Sequence, residues 1–182
     1  LLRDKIHLSV STSPVWSSRV KQMMAKIRVR DLQLNLRSSG EGVPFVWGHG
    51  LMSSMAVEDA LGWFNQEDWR PDKVKLVRYD ARGHGQSEVS TNPDAYHWRN
   101  LGRDMLAVAD YVGAQRFVVG GASMGCATAL YAALQAPERV KGLVLMIPPT
   151  AWETRAAQER RYSVVAVLGG LLGGVALARM MR

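Results

Sequence analysis

The chain has 182 residues, 47% of them hydrophobic and 21% charged, a balance that suits one soluble globular core and excludes a disordered or fibrous protein. Its formal charge of +7 points first to nucleic acid or an anionic surface, yet the charge sits at the ends. Residues 1–30 carry Arg3, Lys5, Arg19, Lys21, Lys26, Arg28 and Arg30 against Asp4 alone, while residues 31–150 carry eleven basic and thirteen acidic side chains. A slightly acidic body offers no basic face for a phosphate backbone, so no nucleic-acid partner is expected.

Residues 1–22 hold five serines, scattered basic residues and one acid, with neither helical nor strand periodicity. Such a leader resembles an organelle transit segment, and it equally suits a non-native extension ahead of a start at Met23 or Met24. The core is therefore expected over 23–155. From Lys26, alternation through Ile27, Val29, Leu32, Leu34 and Leu36 predicts two short strands or a bent hairpin, closed by a turn over 38–42. Short apolar runs follow at 43–47, 74–79, 117–120 and 140–147, as in parallel strands covered on both faces.

Between them, Leu101, Met105, Val108 and Val112 form one apolar helical stripe, with Arg103, Asp104 and Asp110 placed off it on the wet side. Residues 124–136 are apolar nearly all round and stop at Pro137, as a helix packed under a sheet does. The alternation of strand and helix predicts an α/β fold with a doubly wound, mostly parallel sheet. The single cysteine, Cys126, excludes a disulfide framework and a cysteine-rich metal site; it is expected to be a small core residue. It fits a cytoplasmic or organellar location better than a secreted one.

Three motifs carry chemistry. Gly121-Ala122-Ser123-Met124-Gly125 falls directly between a predicted strand and a predicted helix. In that context it reads as a nucleophile elbow: the glycines permit a sharp turn that holds the Ser123 hydroxyl above the sheet, and the helix N-terminus faces developing negative charge. His49-Gly50-Leu51 ends the run 43–47, and Asp80-Ala81-Arg82-Gly83-His84-Gly85-Gln86-Ser87 follows the run 74–79.

With these three motifs in this order, residues 25–155 resemble the α/β-hydrolase superfamily. The wording Asp-Ala-Arg-Gly-His-Gly and Ala-Ser-Met-Gly is similar to enol-lactonases, small-ester hydrolases and carbon–carbon bond hydrolases, while Ser123 argues against the branches that use aspartate at the elbow. The resemblance implies that Ser123 is the nucleophile and that the Leu51 and Met124 N–H groups form the oxyanion hole. It also implies structural roles for His49, Gly50, Asp80, Arg82, Gly83, Gly121 and Gly125, with Asp80 and Arg82 expected to form a fixed ion pair and His84 a loop residue. The substrate implied is a small ester or lactone, with no cofactor and no metal.

In that family the chain order is Ser, then Asp or Glu, then His. Here His7, His49, His84 and His97 all precede Ser123, and the only carboxylates after it are Glu138, Glu153 and Glu159. The resemblance thus covers an amino-terminal part of the fold, and near-inactivity is expected of this chain. Residues 156–182 include an apolar stretch, 163–178, with Gly169, Gly170, Gly173 and Gly174. It suits the start of a distorted lid, a marginal membrane anchor, or a helix over an exposed sheet edge, the first being favoured. The alternative to a hydrolase is a non-catalytic, membrane-associated binding module.

Overall fold

A computed structural model describes residues 22–64, 72–149 and 155–172. The remainder, including nearly all of the leader, Glu153 and residues 173–178 of the apolar stretch, lies outside the described residues. Among the described residues, six strands form one sheet: β1 (Gln22–Val29), β2 (Leu32–Ser39), β3 (Val43–Gly48), β4 (Val74–Tyr79), β5 (Phe117–Ala122) and β6 (Val140–Met146). Among the described residues four α-helices accompany them, α1 (Met55–Ala60), α2 (Trp98–Tyr111), α3 (Met124–Gln135) and α4 (Arg155–Leu172), with a short 3-10 turn at Pro93–Tyr96.

The spatial order is β1-β2-β4-β3-β5-β6. β1, β2 and β4 pair antiparallel, while β4, β3, β5 and β6 run parallel. This is the expected α/β sheet with an antiparallel edge added by the hairpin. β1 starts at Gln22, four residues before the alternation becomes legible, because its first five residues are exposed or half-buried and carry no apolar stripe.

Period-two alternation sorts the strands onto two faces. Val46, Val77, Tyr79, Phe117 and Val119 join the main core beneath α2 and α3, whose contribution is Met105, Val108, Ala109, Ala129 and Ala132. Phe45, Trp47, Leu76 and Ala122 form a smaller cluster on the opposite face. α1 covers that face, its Glu58 accepting a 2.8 Å hydrogen bond from Trp47 Nε1. Each fully buried aliphatic side chain contributes about 1.5–3 kcal/mol, so the face under α2 and α3 dominates stability.

Two expectations about polar residues are corrected. Asp104, placed on the wet side of α2, is 1% exposed. Its carboxylate takes Arg82 Nε at 2.6 Å and Arg82 Nη2 at 2.8 Å. Arg82 therefore pairs with Asp104, reinforced by Asp31 at 3.3 Å, and not with Asp80. Two residues apart on one tight loop, Asp80 and Arg82 diverge: Asp80 turns toward α1 while Arg82 reaches α2. Burial pushes the Asp104 carboxyl above its ordinary range, and the Arg82 charge pulls against that. Arg82→Met leaves buried Asp104 with only the half-exposed Arg30, 3.4 Å away, so a loss of about 3 kcal/mol is expected in urea denaturation. Replacing both Arg82 and Asp104 by apolar residues should recover most of it.

β6 is the far edge of the described sheet, and Leu143, Val144, Leu145 and Met146 are all 39–47% exposed. The described side chains of α4 include exposed Tyr162, Val164 and Val167. Among the described residues no helix is long and apolar enough to cross a membrane.

Candidate active site

The sharp turn at Ser123 is made by the backbone of two adjoining elements. β5 ends at Ala122 and α3 begins at Met124, leaving Ser123 alone between them at φ 49°, ψ −104°. This conformation is costly for a residue with a side chain, and the neighbours hold it in place. Ser123 N–H donates to Met146 O at 3.0 Å, and Ser123 O accepts from Cys126 N–H at 3.0 Å. α3 can begin so close to the sheet because of its glycines. A Cβ on Gly125 would overlap the Gly48 carbonyl of β3, and a Cβ on Gly121 would overlap the backbone of Gly125. Cys126 is fully buried beneath this turn, as expected, with its Sγ 2.9 Å from Gly121 O. Burial pushes its thiol up, away from the reactive thiolate.

β3 delivers the second loop next to the first, since Gly48 pairs with Gly121. Gly50 passes against the elbow: a Cβ there would lie 3.6 Å from Ala122 O and 3.9 Å from the Ser123 Cβ. Neither Leu51 N–H nor Met124 N–H donates to a backbone carbonyl among the described residues. For Met124 this follows from its place as the first residue of a helix. Among the described residues, two amides without a backbone acceptor thus stand on the two chain segments that meet at Ser123. The Ser123 hydroxyl itself makes no hydrogen bond among the described residues.

His49 lies 1% exposed under the second loop, with both ring nitrogens occupied. Ala81 N–H donates to Nε2 at 2.9 Å, so the proton resides on Nδ1, which donates to Gly50 O at 2.8 Å. With no free lone pair, this imidazole cannot take a proton from Ser123. Burial holds its pKa below the ordinary value, with the His84 ring, 5.0 Å away, and Arg78 pushing the same way. Because the folded state binds the proton more weakly than the unfolded one, stability is full above the ordinary imidazole pKa and falls as the pH drops through it. Protonated His49 would set two donors face to face at Ala81, a cost of about 1–3 kcal/mol. His49→Gln, whose carboxamide oxygen can accept from Ala81, should show a smaller loss of Tm than the parent chain between about pH 7.5 and 5.5, the range that brackets imidazole titration. Equal losses would place the titration elsewhere.

Asp80 is 2% exposed and accepts three hydrogen bonds: Met55 N–H at 2.8 Å, Asn35 Nδ2 at 2.9 Å and Gln86 N–H at 3.0 Å. It fixes the start of α1 and thereby the far end of the loop carrying Leu51. Gly83, at φ 75°, runs so near Tyr96 that a Cβ would stand 3.1 Å from the ring. His84 is half-buried, its Nδ1 3.0 Å from Arg82 O.

The sequence reading missed Arg78 and Glu58. Arg78 is 3% exposed, donates to Glu58 and to Met55 O at 2.9 Å each, pairs with Asp59 and stacks 4.1 Å over Phe64. Burial raises the Glu58 pKa while its bonds to Trp47 and Arg78 oppose the shift. Trp47 and Glu58 flank the loop on either side, so this buried group clamps it against β4. The available signal was a lone arginine in an otherwise apolar strand end, Leu76-Val77-Arg78-Tyr79.

The strained turn at Ser123, packed beside the Gly50-Leu51 loop on a sheet with this strand order, marks a candidate site on an α/β scaffold. Comparison with known families agrees: residues 44–180 match the family model described as alpha/beta hydrolase fold. The chain belongs to that family. It is 36% identical over 106 residues to a proline iminopeptidase of Neisseria gonorrhoeae, covering 58% of this chain and 32% of the relative. It is 25% identical over 149 residues to 3-oxoadipate enol-lactonase 2 of Acinetobacter baylyi, covering 78% of this chain and 53% of the relative. The chain thus spans a third to a half of the length of these curated relatives. Among solved structures, a hydrolase from Pseudomonas aeruginosa PA01 aligns with TM-score 0.64 at 26% identity, covering 82% of this chain and 58% of that one. A predicted CIB-like hydrolase from Thermoplasma acidophilum aligns with TM-score 0.61 at 21% identity, over 71% and 64% of the two chains, a likeness of fold alone.

Proposed function

We propose that Ser123 is the nucleophile of an acyl hydrolase acting on a small ester or lactone. What supports this reading is the strained turn that sets Ser123 alone between β5 and α3, close to Gly50, with neither Leu51 N–H nor Met124 N–H donating to a backbone carbonyl among the described residues. Ser123 Oγ would add to the substrate carbonyl, and the two amides would hold the resulting oxyanion. His49, Asp80 and Arg82 serve by fixing the loops. A serine hydroxyl is a weak nucleophile until a base removes its proton, and no histidine follows Ser123 in the sequence. Turnover by the 182-residue chain should therefore lie near the residual level of a triad-deleted hydrolase, about 10³–10⁴ over water.

Imidazole added to the buffer can stand in for the base. With p-nitrophenyl acetate, once the rate of imidazole without protein is subtracted, the chain should show an imidazole-dependent rate at least about tenfold above that of Ser123→Ala, in line with general-base catalysis. Identical imidazole-dependent rates in the two proteins would remove Ser123 from the chemistry. A second reading, a non-catalytic module that binds a partner through the sheet edge, draws on the exposed apolar side chains of β6. It predicts that same identity of rates.

A further inference from the structure

Among the described residues, four other than glycine adopt positive φ: Arg30, Met52, Ser123 and Ile147. Three of them, Met52, Ser123 and Ile147, follow the carboxyl ends of β3, β5 and β6, which lie side by side in the sheet. Ile147 adjoins Met146, whose carbonyl accepts the Ser123 N–H, and Met52 adjoins the Gly50-Leu51 segment that packs on the elbow. The nucleophile is therefore flanked on both sides by residues in left-handed backbone.

The residue types at these two flanks are the wrong ones for their backbone. Left-handed φ favours glycine or asparagine, and a β-branched residue such as isoleucine is among the least suited. Burial could compensate, but Met52 is 60% and Ile147 69% exposed. Neither local conformation nor packing accounts for two large apolar side chains here. The loops that carry them, 48–54 and 146–149, contain no charged side chain, and their one titratable group, His49, is buried and neutral.

We propose that Met52 and Ile147 form an apolar seat for the acyl chain of the substrate, so that the site takes uncharged, aliphatic acyl groups. This rests on Ser123 being the nucleophile proposed above, and it adds the chemical class of the acyl group. Water-exposed apolar surface on the loops that follow the strands on either side of β5 gains free energy when a hydrocarbon chain covers it, and that gain grows with chain length.

A thiol at position 123 tests the seat without any catalytic base. In Ser123→Cys the thiolate attacks the methylene carbon of an N-alkyl iodoacetamide; a carbon–sulfur bond forms, iodide leaves, and the thiol proton passes to buffer. Cys126 is fully buried and is the only native cysteine, so the parent chain supplies the background rate. Relative to a free thiol, the second-order rate should rise at least about tenfold from iodoacetamide to the N-hexyl reagent, as burial of several methylenes allows. In the further variant Met52→Asn, Ile147→Asn that rise should disappear. Asparagine suits the left-handed backbone, so this variant should fold at least as stably as its parent, which urea denaturation checks. A rate independent of chain length, or a rise that survives the two asparagines, overturns the seat while leaving Ser123 as the nucleophile. Failure of every iodoacetamide to alkylate the Ser123→Cys variant overturns both.

Discussion

Gly125→Ala is expected to destabilise the chain by about 3 kcal/mol or more, the upper range for forced overpacking, because the new methyl group would occupy the space of the Gly48 carbonyl oxygen. The partner in this clash is backbone at the centre of the sheet, in a strand paired on both sides, so it cannot swing away as a side-chain tip would. Relief requires α3 to lift from β3, which would also pull Met124 N–H away from Leu51 and dismantle the candidate oxyanion site. Gly142→Ala is the matched control. A Cβ there meets only Val118 Cγ2 at 4.0 Å, so urea denaturation should show a change within about 0.5 kcal/mol. Similar effects at the two glycines would mean that helix and strand do not approach as described.

Ser123 is expected to show opposite effects of substitution on stability and on reactivity. Its φ of 49° and ψ of −104° lie where glycine is at ease and a side chain is not. Ser123→Gly should raise stability by about 1 kcal/mol, within the range stored at strained functional positions. Ser123→Ala keeps the strain and should be near neutral. Both should lose all reaction with serine-directed phosphonylating probes. Were Ser123→Gly to destabilise the chain, its hydroxyl would have a structural role, and the strain argument would fail.

The parts of this architecture legible in the sequence are those encoded by contiguous residues. Gly121-Ala122-Ser123-Met124-Gly125 contains its own reason for turning, and the apolar runs of β3, β4 and β5 are continuous because both faces of a parallel sheet are covered, whereas β6 keeps its apolar run although its side chains from Leu143 to Met146 stay exposed. What escaped are contacts between distant residues. Arg82 has Asp80 two positions away and Asp104 twenty-two away, and only the fold reveals that the distant partner is the one engaged. Asp104 looked solvated because amphipathic periodicity weighs residue type without its partner. Glu58 and Arg78 escaped for the same reason, with Trp47 completing a group drawn from three separate elements. The start of β1 was invisible because an edge strand that buries little imposes little pattern on its sequence.

The site divides the same way. Ser123, Gly50 and the glycines of the elbow could be named from motif alone, whereas the locking of His49 could not. Its ring is held by the Ala81 amide, thirty-two residues away, and this contact decides which nitrogen carries the proton. The left-handed backbone at Met52 and Ile147 likewise has no sequence signature, since neither residue type predicts it.

The most direct test of Ser123 as the nucleophile is to incubate the chain with an alkyl fluorophosphonate and map the adduct by peptide mass spectrometry. Reaction should be slow compared with an intact serine hydrolase, with the phosphonyl group on Ser123 and none on the other serines. An adduct spread over other serines, or one formed equally well by Ser123→Ala, would contradict it.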